Sequence, residues 1–337
     1  METVLFLAHT EADGSLGKIA LESLGAAKEL AGDSLVAGVI GENTSTAGSL
    51  PASRVLTVTG TEFAQARYAT DAAAAEAVCR ASGATIVIAP ATSRWARVLP
   101  GVTHRLGGSV DTHVTGISLR GGKLFATRWY YRQRMEGTFE RSGRPWVLLL
   151  ESGCHAPWSG AAGAGAVEAV EVPLAEGSCR TTVQGVQESQ AGQQTIRPDA
   201  ELLFVTGAGW TKAQRDGKPH VKEAETLILE FLAKTQASLG SSKSLVDISG
   251  EGQQVLGFLT HMNQVGQTGS TPRHPKGLAT CCHGEEPHVV GWRFIRERRA
   301  VNLDPNCGWA RGKADVLYVA DAFEVLENVN RCLRETS

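Results

Sequence analysis

Leu202-Leu203-Phe204-Val205-Thr206-Gly207-Ala208-Gly209 is a run of five strand-forming residues that passes directly into a glycine-flanked turn. An unbroken apolar run of this length, closed by turn residues, is the pattern of a strand buried on both faces, as in a parallel sheet covered by helices. Just beyond it, residues 222–239 place Leu227, Ile228, Phe231 and Leu232 at helical spacing, so a covering helix is expected there. Short apolar runs then recur at 245–248, 277–282, 300–303 and 316–320, and a last helix is expected over 323–333. Strands alternating with helices predict an α/β fold with a doubly wound, mostly parallel sheet.

The same alternation fills the first half. Residues 4–8, 35–40, 55–58 and 85–89 read as strands, and 16–30 and 62–81 as helices, with Gly32 and Gly83 placed to stop them. Residues 123–128 and 145–151 read as further strands of that sheet. From 155 to 198 the composition shifts to Gly, Ala, Ser, Gln and Glu, the mark of a connecting segment. The expected organisation is therefore two doubly wound, mostly parallel sheet domains, residues 1–195 (with 155–195 as linker) and 196–337. A chain of 337 residues is long enough to fill two such cores.

Composition narrows the function. With 42% hydrophobic and 20% charged residues the chain is an ordinary globular protein. Thirty-three basic residues against thirty-five acidic ones leave a charge of −2, so neither nucleic acid nor an anionic membrane is expected as partner. Seven scattered cysteines suggest no disulfide framework, and residues 1–10 lack a signal-peptide pattern, which predicts a reduced, cytoplasmic protein. No apolar run reaches the roughly 18 residues that span a bilayer. Cys281-Cys282-His283 lacks the spacing of a metal-binding cysteine pair, so no metal site is expected.

Gly207-Ala208-Gly209 is not a complete dinucleotide fingerprint, because Lys212 stands where its third glycine belongs. Val265-Gly266-Gln267-Thr268-Gly269 is more specific: its glycines let backbone approach a flat ring while an amide and a hydroxyl reach the ring's heteroatoms. Gly240-Ser241-Ser242-Lys243-Ser244-Leu245-Val246-Asp247 precedes it, and Ala300-Val301-Asn302-Leu303-Asp304-Pro305 follows. Last comes Ala314-Asp315-Val316-Leu317-Tyr318-Val319-Ala320-Asp321-Ala322-Phe323-Glu324-Val325. In this order these four segments resemble motifs of electron-transfer flavoprotein alpha subunits. The resemblance is firm over 202–333 and weaker in the first half, where Ala89-Pro90-Ala91-Thr92-Ser93 and Thr127-Arg128-Trp129-Tyr130-Tyr131 are similar to family segments.

The resemblance implies that the second domain is a Rossmann-like, FAD-binding one, and that Ser242, Lys243, Gln267, Thr268, Gly284, His288, Asn302 and Asp315 contact the cofactor. Lys243 stands where the family places an arginine against the isoalloxazine ring; it keeps the charge but not the planar fork. Thr268 matches the hydroxyl that approaches the redox-active nitrogen, with Gln267 and Ser242 as neighbouring contacts. Gly284 and His288 keep the family's spacing in the pyrophosphate segment, and His288 matches the histidine that bonds the pyrimidine carbonyl. Between them Glu285, Glu286 and Pro287 depart from the pattern: two like charges oppose the anion, and a backbone donor is missing. Asn302 is implied for the phosphate or ribose region and Asp315 for the ribose hydroxyls or adenine. The implied function is an electron carrier without substrate turnover of its own. It shuttles electrons from flavin dehydrogenases toward a quinone reductase, beside a beta subunit that can hold AMP. The altered 281–287 segment leaves a second reading open, a flavin-free alpha-like subunit acting as a scaffold.

Overall fold

The structure is a computed structural model that describes residues 2–130, 135–163, 165–185, 196–197, 200–247, 255–265, 274–280 and 295–335; of these, the side chains at 243, 247 and 309 are left undescribed. The chain divides into two compact units, Met1–Val186 and Gln187–Ser337. The junction expected at residue 195 falls outside the described residues.

The first unit runs β1 (Val4–His9), α1 (Lys18–Ala31), β2 (Val36–Gly41), β3 (Arg54–Thr59), α2 (Tyr68–Ser82), β4 (Ile86–Pro90), α3 (Ser93–Arg105), β5 (Ser109–Arg120), β6 (Lys123–Tyr130), β7 (Met135–Phe139), β8 (Trp146–Leu150) and β9 (Ala166–Ala169). These strands form one sheet in the order β7-β6-β5-β8-β4-β1-β2-β3-β9. It is parallel from β5 to β9, and β6 and β7 add an antiparallel meander at one edge. The two-residue period of β1 explains why its sequence is apolar throughout: Phe6 and Ala8 pack with Leu24 and Ala27 of α1, while Leu5 and Leu7 pack with Val78 of α2 and Val98 of α3. Gly83 ends α2 in the left-handed conformation at φ +62, donating its N–H to the Arg80 carbonyl, the role its position in the sequence implies.

Sequence patterning missed α3, β5 and β7. Helix α3 starts at Thr92, whose Oγ1 accepts the Trp95 N–H (3.2 Å), and it holds Pro100 in its interior, which breaks the usual helical signature. Strand β5 reads as polar because one of its buried residues is a carboxylate. Asp111 accepts from Arg141 Nη2 (2.8 Å) and Trp146 Nε1 (2.9 Å), and Arg128 Nη1 stands 3.6 Å from it. One acidic side chain therefore fastens β6, the segment after β7, and β8 to β5.

The second unit runs β10 (Leu202–Thr206), α4 (Val221–Thr235), β11 (Ser238–Ser241), α5 (Lys243–Asp247), β12 (Lys276–Thr280), β13 (Glu297–Asn302), α6 (Gly308–Lys313), β14 (Val316–Val319) and α7 (Ala322–Glu335). Its five strands are all parallel, in the order β11-β10-β12-β13-β14. Phe204 packs with Ile228 and Phe231 of α4 and Leu326 of α7, whereas Leu203 and Val205 face Val265, Ile295 and Ala300 on the other side. Two α/β units with mostly parallel sheets are thus observed.

One segment differs from its sequence reading. Of the strand expected over 245–248, the described residues 245–247 are helical; the strand is Ser238–Ser241, and the expected 222–239 helix stops at Thr235, where Gln236 takes φ +53. Ser242 Oγ accepts the Leu245 N–H (3.3 Å), an N-cap that starts α5 and turns Leu245 and Val246 inward as one buried helical turn. Among the described residues no helix is long and apolar enough to cross a membrane.

Candidate functional site

A parallel sheet wound in this order binds ligands beyond the carboxyl ends of its strands, where the winding reverses. In the second unit that place lies at the ends of β10 and β12, flanked by β11 and β13. The strands end there in polar residues, Thr206, Ser241 and Ser242, Thr280 and Asn302, all buried. Most satisfy one another. Thr206 Oγ1 donates to the Gly240 carbonyl (3.2 Å), and Thr280 Oγ1 donates to the Val205 carbonyl (3.0 Å) while accepting from Trp210 Nε1 (2.8 Å). Ser242 caps α5 and so places Lys243 as the first residue of that helix, on this edge.

Asn302 differs. Its Oδ1 accepts the Asp304 N–H (2.9 Å), but its Nδ2 is buried with no hydrogen-bond partner. A buried donor left unpaired costs about 1–3 kcal/mol, so Nδ2 keeps an unmet hydrogen-bonding capacity at this edge. Beside it stands Asp321, just past β14, whose Oδ1 accepts the Phe323 N–H (2.9 Å) at the start of α7. Asn302 and Asp321 line one cleft together with Gln214.

Asp315 does not join them. It precedes β14, at the opposite end of the strand, and takes a fork from Arg298: Nη2 to Oδ1 and the backbone N–H to Oδ2, each 2.7 Å. The Arg298 guanidinium and N–H hold its carboxyl below the usual aspartate range. Arg298 and Asn302 are four residues apart on β13, about 13 Å of strand, so Asp315 and Asn302 stand at opposite edges of the sheet. The carboxylate at the Asn302 edge is Asp321, which the motif comparison did not single out. The last motif has an aspartate at each end of the 316–319 run, and only the strand's direction tells them apart.

Gln267, Thr268, Gly284 and His288 lie outside the described residues, as do Cys281, Cys282 and His283. Their flanks are described. Val265 donates its N–H to the Ser241 carbonyl (3.1 Å), beside a parallel bridge between Ser241 and Gln264, so the segment that leads to Gln267 starts along β11 at the carboxyl edge. A side chain at Gly240 would come within 2.5 Å of Val265 Cγ2, which is why this approach needs glycine. Thr280, the last residue of β12, leads toward Gly284 and His288 from the same edge. Among the described residues no cluster of His, Cys, Asp and Glu could hold a metal ion. In the first unit, Thr127 and Arg128 of β6 face neighbours of their own: Thr127 Oγ1 lies 3.0 Å from Thr138 Oγ1, and the Arg128 guanidinium sits over the Tyr130 ring (4.9 Å).

Comparison with known proteins adds three findings. A family model described as the electron transfer flavoprotein domain matches residues 4–176, the half in which the motifs were weaker. The chain is similar to the electron transfer flavoprotein subunit alpha of Bacillus subtilis (strain 168), 25% identical over 325 residues that span 93% of this chain and 92% of that protein. It is also similar to the mitochondrial electron transfer flavoprotein subunit alpha of Oryza sativa subsp. indica, 29% identical over 251 residues, 73% of this chain and 64% of that protein.

Proposed function

The chain belongs to the electron transfer flavoprotein family, as a divergent member of its alpha subunits, and from that premise we propose that its second unit carries FAD along the carboxyl edge of β10 to β14. The observation that carries the proposal is the buried, unpartnered Nδ2 of Asn302 at a strand end, next to a carboxylate.

The residues at this edge fit such a cofactor. Ser242 and Lys243 at the start of α5, with Gln267 and Thr268 just past Val265, would border the flavin. Lys243 adds a positive charge where the ring becomes electron-rich, but without the planar stacking of an arginine. Gly284 and His288, following β12, would meet the pyrophosphate and the ring's carbonyl. Asn302 and Asp321, rather than Asp315, would hold the adenosine end: Nδ2 as donor, and the carboxylate as acceptor from hydroxyls. When bound, FAD supplies reversible uptake and release of electrons; the protein positions it, excludes water and sets its charge environment. This role requires no acid/base pair or nucleophile. A beta subunit completes the assembly and can hold AMP, a flavin dehydrogenase is the donor, and a quinone reductase is the acceptor.

The test is to purify the chain together with its beta subunit and record the visible spectrum. Bands at about 370 and about 450 nm are expected. Their absence, with the two subunits still associated, would leave the flavin-free scaffold that the Cys281–Pro287 departures allow.

A further inference from the structure

The chain that leaves β10 comes back over the cleft of Asn302 and Asp321. After the short turn Ala208–Thr211, Ala213 bridges Pro219 in antiparallel fashion. Gln214 N donates to the Lys218 carbonyl and Gly217 N to the Gln214 carbonyl (both 2.9 Å). Gly217, at φ +77, makes the corner. The result is a small hairpin whose base is fixed and whose tip is held lightly. At the base, the buried Trp210 packs on Phe323 of α7 with ring centroids 4.6 Å apart. At the tip, Arg215 pairs with Glu324 of α7 (3.5 Å). Asp216 meets His220 Nε2 (2.9 Å), whose Nδ1 meets Glu223 of α4 (3.0 Å). Exposed pairs of this kind hold weakly.

Gln214 is the hairpin residue that reaches the cleft. Its Nε2 is committed to the carbonyls of Gly209 (3.0 Å) and Lys212 (2.7 Å), which fixes the amide's orientation and leaves Oε1 as the accepting atom. The cleft it closes has about 10 Å³ of room, roughly that of one water, with the unmet Asn302 donor in its wall. So small a space cannot admit a nucleoside unless one wall moves. The strand ends are locked in the sheet; the hairpin is the wall held by exposed side chains.

We infer that the hairpin of residues 212–220 is the movable wall of this site and that Gln214 contacts the adenosine part of the cofactor through Oε1, opposite Asn302 and Asp321. The inference rests on the FAD reading above. Two acceptors, Gln214 Oε1 and Asp321 Oδ2, and one donor, Asn302 Nδ2, match the donor hydroxyls and acceptor oxygens of a ribose.

The experiment uses the complex with the beta subunit, stripped of flavin and titrated with FAD while flavin fluorescence is followed. Gln214→Ala is expected to raise the dissociation constant by about three- to tenfold, the loss of one hydrogen bond. Arg215→Ala, which loosens the tip without touching the cleft, is expected to speed both uptake and release by about twofold or more. Amides of residues 212–220 should exchange more slowly in the loaded complex than in the stripped one. Should both variants bind and release FAD as the wild type does, with hairpin exchange unaffected by FAD, the hairpin is a static loop and the inference is overturned. If Gln214→Ala loses its cooperative thermal transition, Arg215→Ala and the exchange measurement decide. A wild-type complex that takes up no FAD defeats the cofactor assignment itself, a result distinct from either.

Discussion

The two ends of the Asn302 amide are in opposite situations: Oδ1 is paired with the Asp304 N–H, and Nδ2 is buried without a partner. Such a group lowers the stability of the empty protein and contributes to binding when its partner arrives. Asn302→Ala is therefore expected to leave the thermal stability of the stripped complex within about 1 kcal/mol of wild type, while FAD affinity falls by about tenfold; thermal melts and FAD titration read the two effects separately. In the first unit His9, at the end of β1, stacks on Trp95 with ring centroids 4.0 Å apart. Burial, with the Arg94 charge, pushes the His9 pKa well below the ordinary 6.5, and the Ile40 carbonyl opposes this only in part. Above about pH 6.5 the imidazole is neutral whether the chain is folded or not. Below it the unfolded chain takes the proton first, so stability is lost as the pH is lowered, by up to about 1.4 kcal/mol per pH unit. Urea midpoints at about pH 7.5 and about pH 5.5 should drop further for wild type than for His9→Phe, which keeps the stacked ring and removes the titration. A drop of equal size in both would assign the pH dependence elsewhere.

Elements were legible wherever apolar runs were long and both faces of a strand were covered, as for β1 and β10. The failures have separate causes: one segment was too short to read, and another owes its place to partners distant in sequence. Leu245-Val246 is too short to distinguish a strand from a buried helical turn, and the Ser242 cap made it a helix. Strand β5 was hidden because Asp111, 2% exposed, stands where an apolar residue would have signalled a strand. Its three basic and indole partners come from positions 128, 141 and 146. Removing that carboxylate leaves Arg141, Arg128 and the Trp146 N–H without their acceptor, so Asp111→Ala should cost about 3–5 kcal/mol. Because the network ties the antiparallel meander to the parallel sheet, amide exchange should accelerate in β6 and β7 more than in β1 and β2. Uniform acceleration through the first unit would mean that Asp111 supports the sheet generally and not the meander.

At the scale of the whole molecule, the family match over 4–176 and the motifs over 202–333 lie in different units, and the similarity to an alpha subunit across 93% of the chain joins them. A cofactor whose site is completed by a second subunit binds the pair more tightly than either chain. The chain expressed alone should therefore lose FAD on gel filtration, whereas the co-purified pair should keep about one FAD per heterodimer; equal retention by the lone chain would show that its second unit suffices. The sequence by itself determined two α/β units, the places of most core strands and the family, because a strand covered on both faces must be apolar along its length and the motifs are contiguous. Only the tertiary structure decided that Asp321 and not Asp315 shares an edge with Asn302, and that Gln214 reaches the same cleft from 88 residues away. The physical reason is that a parallel sheet has two chemically different edges, and the identity of the edge a residue occupies depends on chain direction and on packing between distant segments, neither of which leaves a trace in local composition.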